Sequence, residues 1–322
     1  MGKKEKKIFF QRIWVSIRKK MILHKHQRVA DLWNLMIRAY FEGEMKKYTF
    51  SPLKQFPQGK KIIWQYWGQG IDEKTLPQVV AICFASVDKY KGEYEVIRLC
   101  DDTVKDYVDL PDFIWQKRKD GQMGFTFFSD LLRLALLHTY GGVWLDATVL
   151  LTDFLPREYA EFDYFVFQRD DNEENRKNLE DSASRYWGWD SGFRVRMLNS
   201  IIFARKNSEV IGTLMDMLLN YWRVRDRAST YFFFQILYNE LMCNYLPDKR
   251  CMVVSDFIPH LLQAKLLDPL MLPRTSLEEI LRESGMHKMT YYKNGATERF
   301  FSFIEEFTDF ARLSPPLPKK LR

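Results

Sequence analysis

Apolar and polar positions divide this chain into stretches of different period. Over the first fifty residues Phe10, Ile13, Trp14, Ile17 and Met21 recur at helical spacing, and Val29, Leu32, Trp33, Met36 and Tyr40 repeat the pattern. Arg12, Arg18, Lys19 and Lys20 are set among the first group. This predicts basic amphipathic helices, closed by the linker SPLKQFPQG. The period then changes. KKIIWQYW (60–67) reads as a buried strand, residues 76–90 as a helix and YEVIRLC (94–100) as a second strand. VWLDATVLL (143–151), FDYFVFQ (162–168) and MLNSIIFARK (197–206) are further strands, and 208–224 and 230–245 are strongly apolar helices. Strands alternating with helices predict an α/β sheet flanked by helices on both faces. Ligands of such sheets lie beyond the carboxyl ends of the strands. The stretch from Arg169 to Arg194 reads as a long polar loop containing WGWD, and loops of that length commonly carry function.

The most apolar unit, FSDLLRLALLHTYGGVWLDATV (128–149), has charges at both ends. Ser129 suits an N-cap and Asp130 the first helical turn, where the helix dipole favours a carboxylate. Arg133, three residues on, shares the face of Asp130. Gly141 and Gly142 end the helix. In one continuous strand Trp144, Asp146 and Thr148 would share a face, with Val143, Leu145, Ala147 and Val149 on the other. A capping pair would account for Asp130 and Arg133. Asp146 is harder to explain structurally, because an unpaired carboxylate in so apolar a strand is costly.

Composition narrows the picture. With 322 residues, 46% of them hydrophobic, the chain can build one large core with an appendage. Four cysteines without a CxxC pair argue against a disulfide framework or a zinc site and suit a reducing cytosol. No apolar run reaches the roughly 18–20 residues that span a bilayer. The formal charge of +7 is unevenly spread: residues 1–50 hold 13 Lys/Arg against 4 Asp/Glu, a net of +9, and the other 272 hold 36 against 38, a net of −2. A body of net −2 argues against nucleic acid as a partner. The natural division is a basic amphipathic helical extension over 1–58 and an α/β domain over 59–322. The extension could lie on a membrane surface, dock on the body, or do both.

SDLLR followed by YGGVWLD resembles the SDxxR…YGGxYxDxD core of GT-A sugar-nucleotide glycosyltransferases, including glycosyltransferase family 32. KKIIWQYWGQG, CFASV, FSDLLRLALL and YGGVWLDATVLLT are most similar to bacterial capsular polysaccharide synthesis proteins, from about residue 59 to 206, with a weaker echo at HKMTYYK (287–293). The resemblance implies a GT-A fold and transfer of a hexose from a nucleoside-diphosphate sugar, UDP-linked, with retention of configuration. It implies Asp130, Arg133 and Asn199 as catalytic residues at the donor sugar. Gln65, Trp67, Asp130, Arg133 and Asp146 would bind the donor, with Trp67 stacking on the base. A divalent cation, Mn²⁺ or Mg²⁺, would rest on Asp146, with Thr148 in place of the second aspartate and His287 as a late residue near the phosphates. A threonine hydroxyl is a poorer ligand than a carboxylate, so Asp153 is a further candidate. The implied partners are the donor, a glycan or lipid-linked glycan acceptor and the inner face of the cell membrane. A protein acceptor, or a catalytically silent scaffold, are the competing readings.

Overall fold

The computed structural model describes residues 3–307, with side chains from 14 to 306. A single helix, α1 (Lys3–Phe41), joins both N-terminal apolar groups. No Gly or Pro stands between Met21 and Val29 to part them. The side chains of Phe10, Arg12 and Ile13 lie outside the described residues. From Val29 onward one face of α1 is buried: Ala30, Trp33 and Ile37 are fully covered and the helix packs against α6 and α7 (Glu209–Val224 and Phe233–Asn244). Trp33 Nε1 donates to Phe233 O at 2.8 Å, and the Tyr40 hydroxyl donates to Asp216 Oδ2 at 2.8 Å. Full burial contributes roughly 1.5–3 kcal/mol per large apolar side chain, so this half of the extension belongs to the main core.

The main sheet has five strands: β1 (Ile62–Tyr66), β2 (Glu95–Leu99), β3 (Gly142–Leu145), β5 (Tyr164–Gln168) and β6 (Met197–Ala204). Their spatial order is β2-β1-β3-β6-β5. β1 runs parallel to β2 and β3, whereas β6 is antiparallel to both β3 and β5. α2 (Gln78–Tyr90) connects β1 to β2, and α3 (Asp112–Lys119) and α4 (Phe125–Tyr140) lead from β2 into β3. A second sheet pairs β4 (Val149–Leu151) antiparallel with β7 (Met286–Lys288). The region read as a long polar loop contains α5 (Arg176–Ala183). Helices α8 (Leu261–Leu267), α9 (Leu277–Glu283) and α10 (Gly295–Phe307) cluster in a smaller core beside β4 and α2.

Two local expectations are corrected. α4 begins at Phe125, with Gly124 as its N-cap, so Ser129 is inside the helix and Asp130 is beyond its first turn. The apolar run FTFF lets the helix start a turn earlier, and the Ser129 hydroxyl donates to Thr126 O instead of capping. The stretch 143–151 is likewise not one strand. It breaks at Asp146: the Asp146 amide still bonds Ser200 O in the main sheet, while Met289 N donates to Thr148 O in the second sheet. A turn closed by Val149 N to Asp146 O, 2.9 Å, makes the change of sheet. Asp146 therefore stands at the junction of the two sheets.

The Gly141-Gly142 pair sets the angle of this unit. Gly142 has φ of +107°, and a Cβ there would meet Ile62 O of β1 at 2.4 Å. Trp64 Nε1 donates to Gly141 O at 2.9 Å on the same side. Gly142→Ala combines backbone strain with displacement of the central strand. We expect it to lower unfolding stability by at least roughly 2 kcal/mol, read as a fall in the urea midpoint with an unchanged slope.

Candidate functional site

The two parallel strands β1 and β3 end on the same side of the sheet, and the residues just past them, Trp67 and Asp146, both border one cavity of about 600 Å³. The cavity is therefore where an α/β sheet of this kind is expected to bind. Its floor comes from α4 and β6, and its far wall from Tyr186, Tyr231 and His260 on the loops outside the main sheet.

Arg133 is the centre of the floor. It is 2% exposed and each of its three nitrogens donates a hydrogen bond: Nε to Ser129 O at 3.0 Å, Nη2 to Ser129 Oγ at 2.9 Å, and Nη1 to Asn199 O. Nη2 lies 3.2 Å from Asp130 Oδ1 and 3.5 Å from Asp146 Oδ1. The expected pairing of Asp130 and Arg133 is thus present, and it is buried. Asn199 Nδ2 donates to Asp130 Oδ1 at 2.8 Å. Trp144 Nε1 donates to Asp146 Oδ1 at 2.8 Å, and its ring lies under the Arg133 guanidinium. One network accordingly joins Asp130, Arg133, Asp146 and Asn199.

A residue that the sequence did not single out completes it. Lys288, the last residue of β7, sends Nζ to Asp146 Oδ2 at 3.0 Å and to Thr148 Oγ1 at 2.8 Å. Antiparallel pairing of Val149 with Lys288 puts the two side by side. His287, one residue earlier, points away from the cavity, as strand alternation requires. It is fully buried, its Nε2 is 2.9 Å from Thr152 Oγ1, and burial pushes its pKa down to about 3. His287 does not line the cavity. Nor does Gln65, which lies within β1 and accepts from Arg98 Nε at 3.1 Å. Asp153 is also outside it, and its Oδ1 accepts from Phe154 N.

The two carboxylates are in different electrostatic states. Burial, opposed by Arg133 and reinforced by the Asp146 charge, pushes Asp130 up to about 6. Burial would raise Asp146 too, but Lys288 and Arg133 outweigh it and hold that carboxyl well below the usual range. This donor set does not suit the divalent cation that the sequence resemblance implies. Asp146 already faces two cationic groups, the Thr148 hydroxyl is engaged by one of them, and among the described residues no three His, Cys, Asp or Glu stand together as a metal site. A divalent ion on Asp146 would stand about 3–4 Å from the Lys288 ammonium and be repelled by roughly 10 kcal/mol at an effective dielectric of about 20.

The far wall depends on a second buried guanidinium. Arg169, at the end of β5, makes a two-point ion pair with Asp256, 3.0 Å for each contact, and donates to Tyr186 O and Gly188 O. The rings of Trp187 and Trp189 lie 4.5 and 4.9 Å from it. The WGWD stretch is therefore an ordered wrapping around Arg169 that carries Tyr186 to the cavity. Only the density of tryptophans pointed to it in the sequence.

A solved structure described as "PaToxG Glycosyltransferase" aligns over 91% of this chain and 99% of its own at 13% identity, with a TM-score of 0.34, too loose a match to inform on chemistry. No curated protein matches the chain. The family model for capsular polysaccharide synthesis protein matches residues 12–306, which takes in α1 from residue 12 onward, both sheets and every residue of the cavity named above. The chain is a member of the capsular polysaccharide synthesis protein family.

Proposed function

We propose that the protein is a GT-A-type glycosyltransferase that moves a sugar from a nucleoside-diphosphate donor, UDP-linked on the sequence resemblance, to a growing surface polysaccharide or its lipid-linked intermediate. The observation that carries this reading is the meeting of Asp130, Arg133, Asp146 and Asn199 on the floor of a large cavity at the ends of β1 and β3. Family membership supports a glycan acceptor.

In this reading Trp67, half-buried at the rim, stacks on the base, and Asp130 with Asn199 accepts from and donates to sugar hydroxyls. Arg133 is held too rigidly to swing toward a ligand, so its role is to fix Asp130 and Asn199 and to add positive potential. In the transfer the bond from the anomeric carbon to the phosphate oxygen breaks, and its electron pair stays on the diphosphate. The acceptor hydroxyl oxygen bonds to the same carbon, and its proton passes to the departing phosphate oxygen, which matches retention of configuration.

We also propose that α1 holds the enzyme on an anionic membrane surface, at the cytoplasmic face. Among the described residues no helix is long and apolar enough to cross a membrane. Trp14, Ile17 and Met21 are nevertheless exposed on α1, roughly a third of a turn from the face that docks on α6 and α7. Arg18, Lys25 and Arg28 border that exposed stripe, an arrangement suited to a headgroup interface.

Five outcomes test these readings. In a thermal-shift panel, UDP-sugars should raise the melting temperature by mass action; no shift with any nucleoside-diphosphate sugar would leave a scaffold as the better account. Asp130→Asn should lower donor hydrolysis at least tenfold, as expected for loss of a charged hydrogen-bond partner. In the wild type, donor use should fall on an acid limb centred near pH 6, because the raised Asp130 carboxyl takes up its proton there. The sign follows from the shift. The folded value is above the ordinary 3.8, so protonated Asp130 stabilises the fold below that range and this contribution is lost as pH rises through about 6. The limb should be absent from the residual activity of Asp130→Asn. Deleting residues 1–21 should weaken binding to phosphatidylserine vesicles at least tenfold without altering the melting temperature. Deleting 1–45 should unfold the protein, since Trp33 and Ile37 are core residues.

A further inference from the structure

We propose that Lys288 does the work of the divalent cation, its ammonium being the fixed positive charge that receives the diphosphate of the donor. This rests on the nucleoside-diphosphate reading given above and narrows it to a site that needs no metal.

The geometry has three parts. Lys288 Nζ occupies the space between Asp146 and Thr148, the two positions that correspond to the metal-binding pair of the sequence motif. An ammonium has three donors. Two are used, on Asp146 Oδ2 and Thr148 Oγ1, and the side chain, 21% exposed, borders the cavity, so the third is available to a ligand oxygen. Finally, the site is charge-balanced before a ligand arrives: Asp130 and Asp146 face Arg133 and Lys288. Asp146 and Thr148 thus act as positioning residues that aim the ammonium. A diphosphate entering from the Trp67 side meets a cation whose remaining donor it can accept, while Arg133, committed to the chain, supplies potential from below. A purely structural role, in which Lys288 only neutralises Asp146, predicts loss of stability without loss of phosphate recognition.

The test is calorimetric titration of the full-length protein with UDP, run in EDTA and again with Mn²⁺ or Mg²⁺, for the wild type, Lys288→Met, Lys288→Arg and Thr148→Val. The inference expects wild-type affinity to be equal in EDTA and in metal, within about twofold. It expects Lys288→Met to bind UDP at least tenfold more weakly and Lys288→Arg to recover part of that loss. Should Lys288→Met melt well below the wild type, Thr148→Val keeps the question open to decision, since removing one anchor of the ammonium should still weaken UDP several-fold in a folded protein. UDP binding that EDTA abolishes and Mn²⁺ restores in the wild type would overturn the inference and leave the donor class standing. Wild-type affinity in a folded Lys288→Met, or in Thr148→Val when Lys288→Met is unfolded, would overturn it as well. If neither UDP nor GDP nor TDP binds the wild type under any condition, the donor reading fails and this inference with it.

Discussion

A guanidinium cannot give up its proton in a protein, so burying one obliges the rest of the chain to surround it with acceptors. Arg133 imposes that constraint at the centre of the molecule. Its own helix meets part of the demand through Ser129 and Asp130, and the main sheet meets the rest through the carbonyl of Asn199 and the carboxylate of Asp146. The requirement joins α4 and the junction after β3, which are close in sequence, to β6, more than fifty residues further along the chain. It also explains why two carboxylates can share so small a space. Each is needed by Arg133, and the second is relieved by Lys288 from the other sheet.

The same solution appears on the other side of the cavity. Arg169 is held by Asp256 and by the carbonyls of Tyr186 and Gly188, with indole rings stacked around it. Buried ion pairs of this kind add little net stability compared with apolar packing, but removing one partner is severe. Their effect here is to give irregular backbone a single conformation. The floor and the far wall of the cavity are thus both built around arginines whose hydrogen bonds go to the chain, and Lys288 adds a further cation at the cavity's edge.

Most of the regular structure was legible in the sequence because it rests on local pattern. β1, β2, β5, β6 and the helices α2, α6 and α7 fall within a few residues of the periods that announced them. The pairing of Asp130 with Arg133 was legible for the same reason, since spacing of three on a helix decides it. The break at Asp146 was not. VWLDATVLL is uniformly strand-like, and what divides it is competition between Ser200 O and the incoming β7 backbone, which no local window contains. Ser129 misled because a good capping residue yields when apolar contacts extend the helix beyond it. Lys288 was hidden by alternation: the family resemblance pointed to the neighbouring His287, yet a register of one places the histidine in the core and the lysine in the cavity.

The pairing of β4 with β7 has a consequence for how the protein comes into being. β7 begins at Met286, 135 residues after Leu151 ends β4, so the main sheet is made before the strand that closes this one. As the polypeptide leaves the ribosome, α4 and the main sheet can form with Asp146 already in place, but Lys288 emerges 84 residues after Ala204, the end of β6. A nascent or prematurely ended chain can therefore present a near-complete floor in which the carboxylate lacks its lysine. β7 converts that acidic pocket into a balanced one, so the site matures only when a strand made well after the main sheet has joined it.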